Sequence, residues 1–380
     1  MNLIFRLVIS AVLAILAVSG YARAEIAFEA GTTMVGQQTS KQNNTINKDV
    51  IGSIDLVMDA DIGPGTLHLY LEGSTTPSVS ASSVIAGSNL DAGTAVDRNG
   101  KGRIQLSEIA YDFDLDTMNF SIGVQDLTAF ADATAVSNDE GSQFLAGSLV
   151  NNSSIAFPDY APSIVFAYGG EGSINATALV ANAYGLGDNP NANYADLFKF
   201  GRDENSNLKK GVFVLGEVRV PSGINVTLGA WLRTSELPQH LGGGNKSRAF
   251  GVYADADGMV SENTLWSARV GWNSAKCTDE ITTHASFAVE HSYRDDHVIA
   301  LGVAWDGLSS DYKSTFANAG NATVAELYYR WQINEYLAIS PDVQYWHNAN
   351  NRSISTVGVA GGNAWVYGLR LQIGGSHQVE

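Results

Sequence analysis

The fold is decided by an alternating stretch, Met118-Asn119-Phe120-Ser121-Ile122-Gly123-Val124-Gln125. Apolar and polar residues take turns along it, which is typical of a strand with one apolar and one polar face. The following residues 138–152 differ, because Phe144, Leu145, Leu149 and Val150 recur at helical spacing behind acidic residues. This pattern predicts a short helix within a long loop between two strands.

The first 24 residues predict a secretory signal peptide. Arg6 precedes an apolar run from Leu7 to Val18, and Ala22-Arg23-Ala24 has the form of a cleavage site. We therefore expect a mature chain that begins at Glu25. No later run approaches the 18 or so consecutive apolar residues of a membrane-spanning helix, so the mature chain is expected to be secreted, periplasmic or a β-barrel.

Alternating segments about ten residues long recur along the rest of the chain and predict about sixteen strands. They lie near residues 26–37, 49–60, 65–73, 103–113, 117–126, 162–170, 173–184, 210–220, 223–233, 246–256, 263–273, 281–292, 296–306, 322–333, 336–347 and 362–373. An even number of strands of this length is what a single-chain outer-membrane barrel requires. We predict an all-β fold with one 16-stranded antiparallel transmembrane barrel over residues 25–373 and a C-terminal tail over 374–380.

The connections between these strands alternate between short and long. Short turns are predicted at residues 61–64, 114–116, 221–223, 257–258, 294–296 and 334–335. Long loops are predicted at 74–102, 127–161, 185–208, 234–245, 307–321 and 348–361. Short turns on one rim and long loops on the other are typical of barrels in the bacterial outer membrane.

Charged residues lie on only one face of the predicted strands. Because a charge facing lipid at mid-bilayer costs roughly 2 to 4 kcal/mol, this face should line a polar, water-filled lumen. By strand parity, Tyr328 and Trp346 should face the lumen too. Each charge can equally belong to a salt bridge that braces the wall. The charges expected to face inward are Glu217, Arg219, Arg233, Arg269, Glu290, Glu326, Arg330, Asp342 and Arg370.

Composition excludes several classes of function. The net charge of −17 argues against a nucleic-acid partner, and removing Arg6 and Arg23 with the signal makes it about −19. Acidic loops suit contact with outer-membrane lipid and lipopolysaccharide through divalent cations, or simple solubility. The single cysteine, Cys277, leaves no internal disulfide and no cysteine-built metal site.

Two motifs suggest chemistry that their surroundings do not support. Residues 97–108 resemble an EF-hand calcium loop, but Lys101 occupies a ligand position and a strand follows where a helix should. His284 and Ser286 are the nearest approach to a hydrolase pair. We therefore expect no enzyme activity, no metal and no cofactor.

Two blocks of the sequence resemble the carbohydrate-selective outer-membrane porins of the OprB family. One extends from Ser107-Glu108-Ile109-Ala110-Tyr111 to Phe157-Pro158. The other extends from Ala325-Glu326-Leu327-Tyr328-Tyr329-Arg330 to Tyr367-Gly368-Leu369-Arg370-Leu371. Together they cover about a third of the chain. One departure is that seven residues follow Ile373, whereas the chains of such barrels usually end in an aromatic residue.

The resemblance implies an outer-membrane porin that passes monosaccharides and related small sugars by diffusion. It implies that the loop from Leu127 to Tyr160 folds inward and forms a constriction. The candidate constriction residues are Asp139, Glu140, Gln143, Asp159 and Tyr160 on the loop, facing Arg219, Arg233 and Arg330 on the wall. A general or anion-preferring porin and a closed structural or adhesive barrel remain alternatives, and assembly as a homotrimer is left open.

Overall fold

The computed structural model describes most of the chain, with gaps in the loops and at the ends. The described residues are 26–40, 46–76, 84–85, 87–90, 95–97, 99–170, 172–187, 194–199, 201, 209–238, 245–274, 281–315, 319–348 and 362–379. The predicted signal peptide and Cys277 lie outside them.

Sixteen antiparallel strands form one closed barrel in which each strand pairs with its neighbours in sequence. They are β1 (Ile26–Thr39), β2 (Lys48–Ile62), β3 (Gly65–Ser74), β4 (Ile104–Leu115), β5 (Met118–Gln125), β6 (Ala161–Tyr168), β7 (Asn175–Asn182), β8 (Val212–Ser222), β9 (Ile224–Pro238), β10 (Asn245–Ser261), β11 (Thr264–Asn273), β12 (Ile281–Arg294), β13 (His297–Leu308), β14 (Ala322–Asn334), β15 (Leu337–His347) and β16 (Ala364–Val379). The predicted number and order of strands are confirmed.

Pairing of β1 with β16 closes the barrel. Ile26 lies opposite Val379 and Thr39 lies opposite Val366, so the two ends of the described chain meet at one rim. β16 therefore continues as strand through Gly374–Val379, the segment that the sequence analysis set apart as a tail. Its backbone groups bond to those at the start of β1.

The two rims differ as the loop lengths predicted. Turns of one or two residues join β2 to β3, β4 to β5, β8 to β9, β10 to β11, β12 to β13 and β14 to β15. The predicted turn at Asp257-Gly258 is wrong: β10 runs on to Ser261, and the turn is at residues 262–263. Asp257 stays in the strand because Arg219 of β8 and Asn225 of β9 bond to its buried carboxylate.

The outer face is apolar and the inner face polar. Leu369 is 52% exposed while its neighbour Arg370 is 1% exposed, and Val270 is 53% exposed beside Arg269 at 1%. Tyr328 and Trp346 belong to the same buried row as Glu326 and Gln344, as parity predicted. A band of exposed apolar side chains around a polar interior matches the environment of a lipid-embedded barrel.

Three short helices have described bounds: α1 (Gly147–Val150), α2 (Tyr194–Leu197) and α3 (Ser310–Thr315). Within the described residues, no helix is long and apolar enough to cross a membrane.

Candidate functional site in the barrel lumen

The connection between β5 and β6, residues 126–160, is the longest whose residues are all described, and we call it the lumen loop. It contacts side chains on the inner face of β8, near β6, and of β11, β13, β14 and β16, on the other side of the barrel from β5 and β6. The segment therefore crosses the interior before it returns to the wall.

Arg269 of β11 is the most connected anchor of the lumen loop. Its Nε lies 3.2 Å from Asp132 Oδ1, and Nη2 donates to the carbonyl of Asp132 at 2.8 Å. Nη1 donates to the carbonyls of Leu149, at 3.1 Å, and of Ser137. Because both Arg269 and Asp132 are almost fully buried, this pair holds two separate parts of the loop against β11.

Two further wall residues bind the loop backbone, one as a hydrogen-bond acceptor and the other as a donor. Glu326 of β14 accepts hydrogen bonds from the amides of Leu145 and Ala146, at 2.7 and 2.8 Å. Arg370 of β16 donates to the carbonyls of Gln143, at 2.7 Å, and of Glu140. These backbone groups would otherwise be available to a continuous helix.

As a result, the predicted helix is shorter than its apolar spacing suggests. α1 has only four residues, Gly147–Val150, and no acidic residue in its first turn. Phe144 and Leu145 are buried but lie before the helix. Wall side chains have replaced part of the hydrogen bonding that a longer helix needs.

Small wall residues make room for the apolar side of the loop. Leu149 and Phe144 pack in a buried cluster with Ala300 and Ala304 of β13, and Phe144 meets Tyr328 edge to face at 5.0 Å. A Cβ added to Gly302 would lie 2.9 Å from atoms of both Phe144 and Leu149. The wall at β13 is therefore shaped to accept the loop.

A second segment, residues 84–85 and 87–90, packs on the lumen loop, and no pattern in the sequence predicted it. Gly147 donates its amide hydrogen to the carbonyl of Gly87 at 2.8 Å, and Leu90 donates to the carbonyl of Leu145 at 2.9 Å. Gln37 of β1 and Gln344 of β15 both donate to the carbonyl of Ser88, at 2.7 and 2.9 Å. Two connections therefore fill part of the lumen.

A cavity of about 830 Å³ remains open beside the lumen loop. It is lined by Tyr70, Thr128, Asn138 and Gln372, among other side chains with hydrogen-bonding groups, and by carboxylates that include Asp139 and Glu140. A water-filled space with many donors and acceptors can exchange hydrogen bonds with a solute that sheds its water.

Two loop carboxylates on this cavity, Glu140 and Asp126, have raised pKa values. Burial is the main cause of the raised pKa of Glu140, which is about 7; Asp126 and Asp139 nearby contribute to the rise, and Arg370 opposes it. Burial also raises the pKa of Asp126, against hydrogen bonds from Thr128. Glu140 therefore changes charge near neutral pH.

The structure brings some of the predicted constriction residues together. Asp139, Glu140 and Arg330 line the same cavity. Arg219 instead donates to the loop carbonyl of Ala133 at 2.8 Å and to Asp257, at 2.7 and 3.0 Å. Its charge is engaged in holding the loop.

The other predicted residues lie elsewhere. Gln143 accepts from the amide of Asn138 at 2.8 Å, so its side chain stabilises the loop itself. Asp159 lies against Gly185 and Gly187, and the ring of Tyr160 is 6.2 Å from that of Tyr70. Arg233 donates to Ser235 at 2.8 Å and covers the ring of Tyr184.

Sequence reasoning missed the cavity residues of the first strands. Glu29 of β1, Asp55 of β2 and Tyr70 of β3 line the cavity, and Tyr70 donates to Asp55 at 2.7 Å. The same strand parity that identified the charges on β8 to β16 also gives these residues an inward direction.

The two motifs set aside in the sequence have structural roles. Asp97 accepts from the amides of Asn99 and Lys101, at 2.7 and 3.0 Å, and so closes a turn ahead of β4. Within the described residues, no three His, Cys, Asp or Glu side chains are grouped as metal ligands.

His284 lies between Ser286, at 3.2 Å, and Asp306, at 2.9 Å, an order of groups seen in hydrolases. However, the imidazole is buried, and Asp306 also accepts from Ser148 of the lumen loop at 2.6 Å. The group therefore joins the wall to α1.

Comparison with solved structures gives porins. The high-pH structure of Pseudomonas putida OprB aligns with a TM-score of 0.68 at 14% identity, covering 93% of this chain and 94% of that one. The anion-selective porin from Comamonas acidovorans aligns with a TM-score of 0.56 at 10% identity, covering 93% and 100%. The outer-membrane channel DcaP of Acinetobacter baumannii gives 0.56 at 9% identity, covering 92% and 96%. At these identities the likeness shows the fold.

Sequence comparison gives the family. No curated protein matches the chain significantly. The carbohydrate-selective porin family OprB matches residues 62–374, most of the barrel, and its members are channel proteins rather than enzymes. The chain therefore belongs to the OprB family of carbohydrate-selective porins and is a 16-stranded channel of the outer membrane.

Proposed function

We propose that this porin passes monosaccharides and related small sugars by passive diffusion, through a water-filled lumen that the lumen loop narrows to a constriction. The observation that carries the proposal is the anchoring of that loop by Arg269, Glu326 and Arg370, beside an open cavity of about 830 Å³. A fixed obstacle beside a polar passage selects solutes by size and by hydrogen bonding.

Asp139, Glu140 and Arg330 are the predicted constriction residues that face the passage. The cavity that they share with Tyr70 and Gln372 supports this role, because a sugar in it would meet donors, acceptors and an aromatic ring. The other candidate residues do not line the cavity in this proposal but shape the loop and its surroundings: Gln143, Asp159, Tyr160, Arg219 and Arg233.

Swelling of proteoliposomes tests the function. Entry of glucose above the rate of empty vesicles, and above that of a polar non-sugar solute of the same size, is the expected result. Equal rates for sugars and size-matched controls would leave a general diffusion porin, and no swelling with any solute would favour a closed structural or adhesive barrel. An anion-preferring porin remains the second candidate, favoured by the fold shared with the Comamonas acidovorans protein.

The assembly and the lipid partners complete the proposal. The outer-membrane protein OmpT of Vibrio cholerae, described in a trimer form, aligns with a TM-score of 0.54 at 10% identity. We propose that this chain also assembles as a homotrimer. Lipopolysaccharide contact at the long-loop rim would follow from the acidic composition through bridging cations. Native-mass measurement in detergent would test the trimer, since a monomeric mass would contradict it.

A further inference from the structure

The open cavity is lined almost entirely by one sign of charge. Six carboxylates face it, from Glu29, Asp55, Asp126, Asp139, Glu140 and Glu335. Among its described lining residues, Arg330 is the one arginine or lysine. The carboxylates come from the wall, from a turn and from the lumen loop, so the charge surrounds the space and does not form a single cluster.

The arginines that would favour anions are engaged elsewhere. Arg269 and Arg370 are each 1% exposed and bind loop carbonyls. Arg219 forms an ion pair with Asp257 at 2.7 Å. A positive charge that is paired with a carboxylate adds little net charge to the passage, as for Arg219 with Asp257 and Arg269 with Asp132. Arg370 and Arg330 are then the two arginines whose charge opposes the six carboxylates.

A quarter of the wall and the whole lumen loop come from one block of sequence without lysine or arginine. No lysine or arginine occurs between Ile104 and Phe198, a range that includes β4 to β7 and the whole lumen loop. The wall arginines 219, 233, 269, 330 and 370 all follow this range. The four strands β4 to β7 and the lumen loop therefore supply no lysine or arginine that could neutralise the cavity carboxylates.

We propose that the lumen favours cationic solutes over anionic ones, and that the sugars it passes most readily carry an ammonium group, as protonated hexosamines do. This inference rests on the proposed sugar passage and adds the charge of its substrates. Rings of acidic side chains select cations, because a low-dielectric wall concentrates their field in the channel. A hexosamine combines hydroxyl groups with one positive charge and so meets both features of the cavity.

The test is the zero-current potential across planar bilayers that hold the full-length mature porin, with a tenfold gradient of glucosamine hydrochloride at pH 6. The test variant is Glu29→Gln, Asp55→Asn and Glu335→Gln combined. The matched control neutralises three acids of the short turns that do not line the cavity: Asp116→Asn, Glu262→Gln and Asp295→Asn. Folding of each is checked by the heat-dependent shift of the barrel on gels.

We expect a glucosamine-to-chloride permeability ratio above about 3 at roughly 0.1 M salt, where the field reaches about 10 Å. The ratio should approach 1 in the test variant and remain near the native value in the control. A native ratio at or below 1, or equal ratios in both variants, would overturn the inference. If the triple variant does not fold, Glu29→Gln and Glu335→Gln are compared singly, and each must lower the ratio.

Glucose swelling with the same preparations separates the two proposals. Swelling with glucose but no cation preference would overturn only the charge inference. A cation preference without glucose entry would contradict the sugar passage on which the hexosamine assignment rests.

Discussion

Replacing Arg269 with methionine is expected to release the lumen loop and widen the pore. The change removes a buried ion pair with Asp132 and three hydrogen bonds to the carbonyls of Asp132, Ser137 and Leu149. Methionine keeps much of the side-chain length, so the main effect is electrostatic. Asp132, itself 2% exposed, is left as a buried carboxylate whose cation is gone.

The magnitude follows from the cost of breaking a buried pair on one side, about 3 to 5 kcal/mol. At 1.4 kcal/mol per factor of ten, the ratio of docked to released loop should fall roughly 10² to 4 × 10³-fold. Single-channel recordings should then show a larger conductance state. Liposome swelling should extend to di- and trisaccharides that the native porin excludes.

A second substitution and a control make the result specific. The double variant Arg269→Met/Asp132→Asn has no buried charge at this position. The side-chain oxygen of the new asparagine can still accept from the backbone amide of Asn152, which donates to Asp132 Oδ2 at 2.8 Å in the native protein. Part of the native size limit should return. Arg294→Met changes an exposed arginine at the end of β12 and should have no effect. Native conductance and size limit in Arg269→Met would refute the role given to this anchor.

Three other substitutions probe the same site. Glu326→Gln replaces the carboxylate that accepts from two loop amides with a group that can accept from only one. We expect less release of the loop than in Arg269→Met, seen as a modest rise in mean conductance. Unchanged conductance would count against this contact. In Gly302→Val the new side chain would collide with Phe144 and Leu149, which should widen the pore or lower the melting temperature by several degrees. Gly216→Val places the same side chain on the exposed outer face and should do neither. The pKa of Glu140 is near 7, and its deprotonation adds a negative charge to the cavity beside Asp126 and Asp139. Cation preference should therefore rise between pH 5 and pH 8, and Glu140→Gln should flatten that rise. An equally steep pH profile in the variant would contradict the assignment.

Strand positions were predictable because each strand is a local pattern. Lipid on one side and a polar lumen on the other impose the period of two, and this period is visible in the sequence without any partner strand. The exception was Asp257-Gly258, where residues that usually form turns remain in β10. Only the tertiary bonds of Asp257 to Arg219 and Asn225 explain this, and no local pattern contains them.

The loop was predictable in outline but not in detail. Its length and its apolar residues indicated a segment that packs against something, and the resemblance placed it in the lumen. Which backbone groups the wall would bind depends on Glu326 and Arg370, about 180 and 230 residues further along the chain. For the same reason the extent of α1 could not be derived from spacing alone.

The candidate site was predicted in part. Asp139, Glu140 and Arg330 were named and do share the cavity, whereas Arg219 and Arg233 were expected to face it and are engaged in other contacts. Whether an inward arginine remains available or becomes an anchor is decided by the loop that meets it. Strand parity supplies the direction of a side chain but not its partner.

The central claim is that the lumen passes small sugars past a fixed loop. The most direct measurement is liposome swelling with glucose, a disaccharide and a trisaccharide, each beside a polar non-sugar solute of matched size. The account predicts that glucose enters faster than its control and that rates fall steeply from mono- to trisaccharide. Equal rates for sugar and control, or a trisaccharide that enters as fast as glucose, would contradict it.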